Sequence, residues 1–97
     1  MDYCFDYEKN LKLLKTRGIC FEQIISLIEQ GYILDIVEHP NKDKYPNQQI
    51  YIVNISNYCY LVPFTKNGDE IFLKTIIPSR KATKKYLIET KKDKNNA

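Results

Sequence analysis

The spacing of apolar residues changes once along this chain, from a helical period to a strand-like alternation. Before Gly31 the apolar positions recur every three or four residues, which is typical of helices with one buried side. A first helix is predicted to begin after Asp6, its N-cap, and to end at Arg17, with Gly18 as a left-handed C-cap. A second helix is predicted over residues 20–30. The positions predicted to be buried are Leu11, Leu13, Leu14, Phe21, Ile24, Ile25, Leu27 and Ile28.

After Gly31, β-branched and aromatic residues alternate with polar ones, which predicts strands. Residues 3–7 are predicted to be an extended segment or a short additional strand before the first helix. A short C-terminal helix, capped by Ser79 or Thr83, is predicted to reach Glu89. The four main strands are predicted over residues 32–38, 49–55, 58–62 and 70–77.

Turn residues separate these strands. A polar loop with two prolines covers residues 39–47, and Ser56–Asn57 and Lys66-Asn67-Gly68-Asp69 predict two hairpin turns. Pro63 cannot donate to a β-ladder, so it marks a sheet edge, a bulge or the end of its strand. In the last strand, alternation predicts that Lys74 faces away from the core while Ile77 packs inward.

The order of elements predicts an α+β fold. Two N-terminal helices pack on an antiparallel meander sheet of three to five strands, and a short helix follows. The length suits one domain, predicted over residues 1–91, with a basic disordered tail over 92–97.

Composition narrows the class of protein. The sequence contains no apolar run long enough to span a membrane and no signal-peptide pattern at its N-terminus, so we expect a cytoplasmic protein. Three widely spaced cysteines (Cys4, Cys20 and Cys59) accompany a single histidine, His39. Because no metal-ligand spacing occurs, we expect neither a metal nor a cofactor. Buried free thiols are the expected role of the cysteines, and a Cys/His nucleophile pair is the alternative.

Charge is unevenly distributed. From Lys74 onward there are eight cations and two anions, whereas residues 1–73 carry seven cations and ten anions. Such an uneven distribution of charge favours a polyanionic partner for the C-terminal part. Solvated lysines on a helix and tail would give the same pattern. Cations, two hydroxyls and a tyrosine follow directly on the last strand, and this arrangement suggests RNA as the partner.

Metal-independent RNA cleavage needs a base, an acid and cations that stabilise charge on phosphorus. Arg80 is the best candidate for charge stabilisation, because a guanidinium binds phosphate through two parallel hydrogen bonds. Lys81 supports it, and Tyr86 and His39 are the candidates for proton transfer. The candidate RNA-binding residues are Lys74, Lys9, Arg17, Lys84, Lys85 and Tyr45.

Tyr58 and Tyr60 share a strand face and form either a stacking platform or, as we prefer, ordinary cross-strand packing.

Two stretches resemble the BrnT family of bacterial toxins, within the RelE/ParE-like superfamily. The first is Phe5-Asp6-Tyr7-Glu8-Lys9 with the later segment Arg17-Gly18-Ile19-Cys20-Phe21-Glu22. The second is Ile76-Ile77-Pro78-Ser79-Arg80-Lys81-Ala82-Thr83, which is similar to the family's closing motif. The resemblance covers residues 4–86 and implies a compact RelE-like fold.

The resemblance further implies the toxin of a type II toxin–antitoxin system. Such a toxin cleaves RNA and stops translation, is neutralised by a DNA-binding antitoxin, and reaches operator DNA only within that complex. By position, Arg80, Lys81 and Lys9 match motif cations, and Glu8 matches an acidic position.

The chain departs from the family at three places. It has Arg17 where the family usually has His, Pro63-Phe64 near a family His on the fourth strand, and Tyr86 near a family acid. Proton transfer would then depend on Tyr86, His39 or a lysine.

Three functions therefore compete. The first is an endoribonuclease toxin. The second is an inactive relative that only binds its antitoxin or RNA, and the third is a ParE-like toxin that acts on a protein target such as gyrase.

Overall fold

The structure, a computed structural model, describes residues 1–89. The predicted tail over 92–97 therefore lies outside the described residues. Among residues 1–89, no helix is long and apolar enough to cross a membrane. The elements are β1 (Asp2–Cys4), α1 (Tyr7–Arg17), α2 (Phe21–Glu29), β2 (Asp35–Glu38), β3 (Gln48–Ile55), β4 (Tyr58–Asn67), β5 (Glu70–Leu73), β6 (Ile77–Pro78) and α3 (Arg80–Thr83), which continues as a π-helix (Lys84–Glu89).

The predicted α+β fold is confirmed. Strands β2 to β5 form an antiparallel meander, and the sheet order is β1-β5-β4-β3-β2. The sheet is mixed, because β1 pairs in parallel with β5 at one edge. β6 pairs with β4 on the side where β5 has already ended.

Helices cover both faces of the sheet. Helices α1 and α2 pack on one face, where Leu13, Phe21 and Ile24 join inward residues of the three central strands in the main core. α3 covers the opposite face, where Ala82 packs with Ile52 in a smaller cluster. Alternation of side chains along each strand separates the two clusters.

Local capping sets the bounds of α1 as predicted. The Asp6 carboxylate accepts a hydrogen bond from the Lys9 amide at 2.9 Å, and Gly18 adopts a left-handed conformation with φ of 69°. The Gly18 amide donates to the Leu14 carbonyl, which satisfies one of the free carbonyls at the helix end. Only Leu13 of the three predicted leucines is buried. The prediction for Leu11 and Leu14 is wrong, because they lie on a flank of α1 that contacts solvent.

A buried asparagine joins α1 to α2. Asn10 is 5% exposed, and its Oδ1 accepts a hydrogen bond from the Phe21 amide at 2.6 Å. Its Nδ2 donates to Glu22 at 2.6 Å, and this hydrogen bond is the main reason that the pKa of Glu22 is lowered. Asn10 thus supplies the side-chain cap that Cys20, at the N-cap position, does not provide. We call these two hydrogen bonds the Asn10 clamp.

Both predicted hairpin turns are confirmed. Ser56 and Asn57 have φ values of 53° and 65°, which suit the twist of a two-residue hairpin. Gly68 has φ of 61° in the turn between β4 and β5. Ser79 caps α3 as predicted, because its Oγ accepts a hydrogen bond from the Ala82 amide at 3.0 Å.

The strand predicted from residue 32 begins only at Asp35. Gly31, with φ of 78°, and Tyr32 close the end of α2, because the Tyr32 amide donates to the Leu27 carbonyl at 2.9 Å. Residues 32–34 therefore lead out of the helix before the chain enters the sheet. The hydrogen bond that closes the end of α2 thus decides the conformation of these residues, although their sequence alternates as in a strand.

Strand β4 passes through Pro63 without ending there. The Pro63 carbonyl accepts a hydrogen bond from the Lys74 amide at 2.8 Å. Because the nitrogen and oxygen of one residue point to the same side of a strand, the proline nitrogen faces the side of β5 and β6. The proline nitrogen therefore lies opposite the gap between β5 and β6. Because neither strand pairs with β4 at that point, the lack of a backbone N–H donor costs little free energy.

The predicted last strand is broken into β5 and β6. Residues 74–76 leave strand geometry, so the alternation of side chains is lost. Ile76 is consequently 1% exposed and Ile77 is 42% exposed. The prediction that Ile77 packs inward is wrong, whereas Lys74 is exposed as predicted.

Candidate nucleic-acid interface

A groove rich in cations runs between α1 and the segment that joins β5 to β6. It consists of two adjoining depressions of about 430 and 450 Å³, which share Lys9 and Lys12. Arg17 lines the first depression together with Ile77, and Lys74 lines the second. We call the surface formed by Lys9, Lys12, Arg17 and Lys74 the basic groove.

Helical spacing places Lys9 and Lys12 on one side of α1. Lys9, Lys12 and Thr16 follow one another at intervals of three and four residues, so they lie on one flank of the helix. Leu13, which is buried, forms the floor of the groove beside them. Lys15 lies on α1 but lines neither depression.

The break between β5 and β6 brings Lys74 to the same groove. Its Nζ lies 5.2 Å from the centre of the Phe72 ring, which also lines the groove. Two carboxylates, Asp6 and Glu8, lie at the Lys74 end. Because no carboxylate among residues 1–89 lines the Arg17 end, that end carries the less compensated positive charge.

Arg80 lies just beyond the Arg17 end, whereas Lys81, Lys84 and Lys85 belong to α3 and the π-helix, which cover the opposite face of the sheet. Arg80 follows Ile77 by three residues, so their Cα atoms are at most about 10 Å apart. Arg80, Lys81, Lys84 and Lys85 are exposed. Lys85 lies 5.2 Å from the centre of the Tyr86 ring.

Tyr86 is engaged on the opposite face of the sheet. Its hydroxyl donates a hydrogen bond to Asp35 at 2.6 Å, and this contact raises the pKa of Tyr86 to about 12. The same hydrogen bond is the main cause of the lowered pKa of Asp35. Tyr86 therefore holds its proton firmly and ties the π-helix to β2, which suits a structural role better than proton transfer.

His39 and Tyr45 form a pair in the loop between β2 and β3. Their ring centres are 4.3 Å apart, and His39 Nδ1 accepts a hydrogen bond from the Asn41 amide. The structure thus brings two of the predicted site residues together. It places them at a different end of the sheet from Arg80.

The sheet register gives the size of that separation. The His39 amide bonds to Gln48, which pairs with Thr65, whereas the chain just before Arg80 bonds to Cys59 of the same strand. Strand spacings of about 4.8 Å and rises of about 3.3 Å per residue place His39 and Arg80 on the order of 20 Å apart. One phosphate cannot contact both side chains, so the predicted catalytic residues do not form a single site.

The remaining sequence candidates pack in the fold. Tyr58 and Tyr60 contact each other edge to face at 5.8 Å along β4. Tyr60 pairs with Val53 of β3 and packs against the main core, which favours cross-strand packing over a stacking platform.

All three cysteines are free, but the expectation that they are buried holds for Cys59 alone, since Cys4 and Cys20 are half-buried. Burial raises the pKa of the Cys59 thiol. Among residues 1–89, no group of three or more His, Cys, Asp or Glu side chains could hold a metal ion.

Sequence reasoning missed two residues of the groove, Lys12 and Phe72. The signal for Lys12 was present, because it follows Lys9 by three residues on the same predicted helix. Phe72 gave no such signal, since its place beside α1 depends on how the helix docks.

Comparison of this chain with protein-family models, with curated proteins and with solved structures finds no match in any of the three.

Proposed function

We propose that this chain is the toxin of a bacterial type II toxin–antitoxin system and acts in the cytoplasm as a metal-independent endoribonuclease. The observation that carries the proposal is the basic groove, where cations from α1 and from the β5–β6 segment converge. Arg80, from the motif that resembles the toxin family, lies near one end of it. A groove lined by four cations suits the phosphate backbone of RNA.

The chemistry follows from the residues present. The RNA 2′-oxygen attacks the adjacent phosphorus and loses its proton to water, and the bond from phosphorus to the 5′-oxygen breaks. Arg17 and Arg80 stabilise the negative charge that develops on the phosphoryl oxygens. A groove ammonium such as Lys12 gives a proton to the departing 5′-oxygen and regains it from solvent.

A second candidate function is RNA binding without cleavage. Two observations favour it: Tyr86 is hydrogen-bonded to Asp35, and His39 lies on the order of 20 Å from Arg80 by the strand geometry above. In either case we propose that a DNA-binding antitoxin neutralises the chain by laying an acidic segment along the basic groove. Contact with operator DNA would then occur only through that complex.

The test uses the purified chain with end-labelled single-stranded RNA, in the presence of a chelator. We expect new RNA fragments from the wild-type chain and from Lys15→Ala, the matched control on the same helix. Arg17→Ala and Lys12→Ala should weaken RNA binding and reduce cleavage. Binding without fragments would support the inactive module, and equal binding by all variants would refute the groove as the RNA site.

Expression in a bacterial host separates the remaining alternative. Growth arrest with new RNA ends is expected for the wild-type chain. Growth arrest with DNA damage and without new RNA ends would instead indicate a ParE-like protein target.

A further inference from the structure

We infer that the basic groove continues, past Phe72, into a track for single-stranded nucleic acid that ends at Tyr45. This inference rests on the proposed RNA binding and adds the form of RNA that is bound and the residues that contact its bases. It is carried by the register of the sheet and by two aromatic rings that each lie beside a lysine.

The two parts of the track, the Tyr45 depression and the basic groove, adjoin at one cross-strand pair. Tyr45 lines a depression of about 170 Å³ together with Thr65 of β4. Thr65 pairs directly with Phe72 of β5, and Phe72 lines the basic groove. Directly paired residues point to the same face of a sheet with Cβ atoms about 5 Å apart, so the two surfaces are continuous.

Each aromatic ring along the track has a cation beside it. Lys44 Nζ lies 5.4 Å from the centre of the Tyr45 ring, and Lys74 Nζ lies 5.2 Å from that of Phe72. Both lysines are exposed, so each ammonium is free to turn towards a phosphate when a base stacks on the ring. Aromatic rings interleaved with cations are the arrangement by which proteins bind unpaired nucleotides.

The Tyr45 end offers more than stacking. Asn47 and Gln48 line the same depression, and their amides both donate and accept hydrogen bonds. The backbone holds this end in place, because the Tyr45 amide donates to Asn41 and the Tyr45 carbonyl accepts from Gln48. His39 supports the Tyr45 ring from 4.3 Å.

The geometry fits a short oligonucleotide. Two strand spacings separate Gln48 from Phe72, about 10 Å, and α1 extends about 12 Å from Lys9 to Arg17. The whole track is thus on the order of 25 Å long, which suits roughly four to eight nucleotides. A duplex keeps its bases stacked on one another, so it offers no base face to either ring.

Binding of 2′-O-methyl oligouridines, measured by fluorescence anisotropy, tests the track. These probes lack the attacking hydroxyl, so cleavage does not interfere. We expect Tyr45→Ala to weaken binding of an eight-nucleotide probe about 5- to 150-fold, the range for loss of one stacked base. Binding of a three-nucleotide probe, which reaches only the basic groove, should be unchanged by this variant.

Control variants distinguish the loss of base stacking from the loss of folding. Tyr45→Phe keeps the ring and should bind the eight-nucleotide probe as the wild type does, and Phe72→Leu should weaken its binding. Tyr32→Ala removes a tyrosine that is 65% exposed and lies outside the track, so it should have no effect. An eight-base-pair duplex should bind more weakly than the single strand.

The results distinguish the two proposals. If Lys12→Ala weakens binding of the eight-nucleotide probe but Tyr45→Ala does not, the groove stands and the track is refuted. Equal weakening of both probe lengths by Tyr45→Ala, or duplex binding as tight as single-strand binding, also refutes the track. If neither Lys12→Ala nor Tyr45→Ala changes binding, the proposed RNA site fails as well.

Discussion

The salt dependence of RNA binding gives a quantitative test of the site. The groove and its extension present five cations to the backbone: Lys9, Lys12, Arg17, Lys44 and Lys74. If each neutralises one phosphate, the logarithm of affinity should fall with the logarithm of salt concentration with a slope of about −3.5, since each phosphate contributes about −0.7 for a single strand. Raising the salt from about 50 to about 200 mM should then weaken binding about 130-fold.

Single substitutions show which side chains contribute to this slope. Lys12→Ala removes one phosphate contact, so the slope should change to about −2.8 and the loss over the same salt range to about 50-fold. Lys15→Ala should keep the wild-type slope, because Lys15 lines neither depression of the groove. Tyr45→Ala should lower the affinity at every salt concentration without changing the slope, since stacking releases no counterions.

Anisotropy titrations with the eight-nucleotide probe over this salt range measure all four slopes. A wild-type slope near −1 would mean that most of these cations do not contact phosphate. A slope that Lys12→Ala leaves unchanged, while Lys15→Ala lowers it, would place the RNA on the outer side of α1 and refute the groove.

Three further predictions concern stability and activity. Asn10→Ala leaves the buried Phe21 amide without a partner, at a cost of about 2 kcal/mol. It should lower the midpoint of thermal unfolding by about 8–16 °C, as followed by circular dichroism, and an unchanged midpoint would contradict the clamp. Tyr86→Phe removes the hydrogen bond to Asp35. The folded pKa of Asp35 lies below its ordinary 3.8, and that of Tyr86 is raised from 10 to about 12. The hydrogen bond therefore stabilises the fold fully between about pH 4 and pH 10, and loses its effect as pH falls below 4 or rises from 10 towards 12. Urea unfolding should show wild type and Tyr86→Phe differing at pH 7 and converging as the pH falls through the lowered pKa of Asp35, and a constant difference would exclude Asp35 as the partner. Arg80→Ala should abolish RNA cleavage without changing the unfolding midpoint, because an exposed cation contributes little to stability.

The local elements of this fold could be predicted from the sequence. Asp6 and Gly18 fix the two ends of α1 through contacts within one or two turns, and Ser56–Asn57 sets a hairpin through its own backbone angles. Ser79 likewise caps α3 three residues away. Each of these signals depends on neighbours in the chain, so no knowledge of packing is needed.

The break at residues 74–76 could not be predicted, because its cause is the partner strand. β4 has ten residues and offers one flank to both β5 and β6, with Pro63 opposite the gap. The alternating residues of the segment 70–77 are equally consistent with an unbroken strand. Which of Ile76 and Ile77 packs inward is decided by the docking of that segment against α1.

The basic groove depends on the same long-range contacts. The sequence shows that Lys9 and Lys12 share a flank of α1, but it does not show which element faces that flank. The Asn10 clamp supplies the answer, since its hydrogen bonds to Phe21 and Glu22 fix the rotation of α1 about its axis. A shift of one residue in α1 would rotate its side chains by about 100° and turn both lysines away from the segment 74–77. The clamp is therefore part of the proposed binding site although it contacts no RNA. Asn10→Ala, where it remains folded, should bind RNA more weakly than Lys15→Ala does.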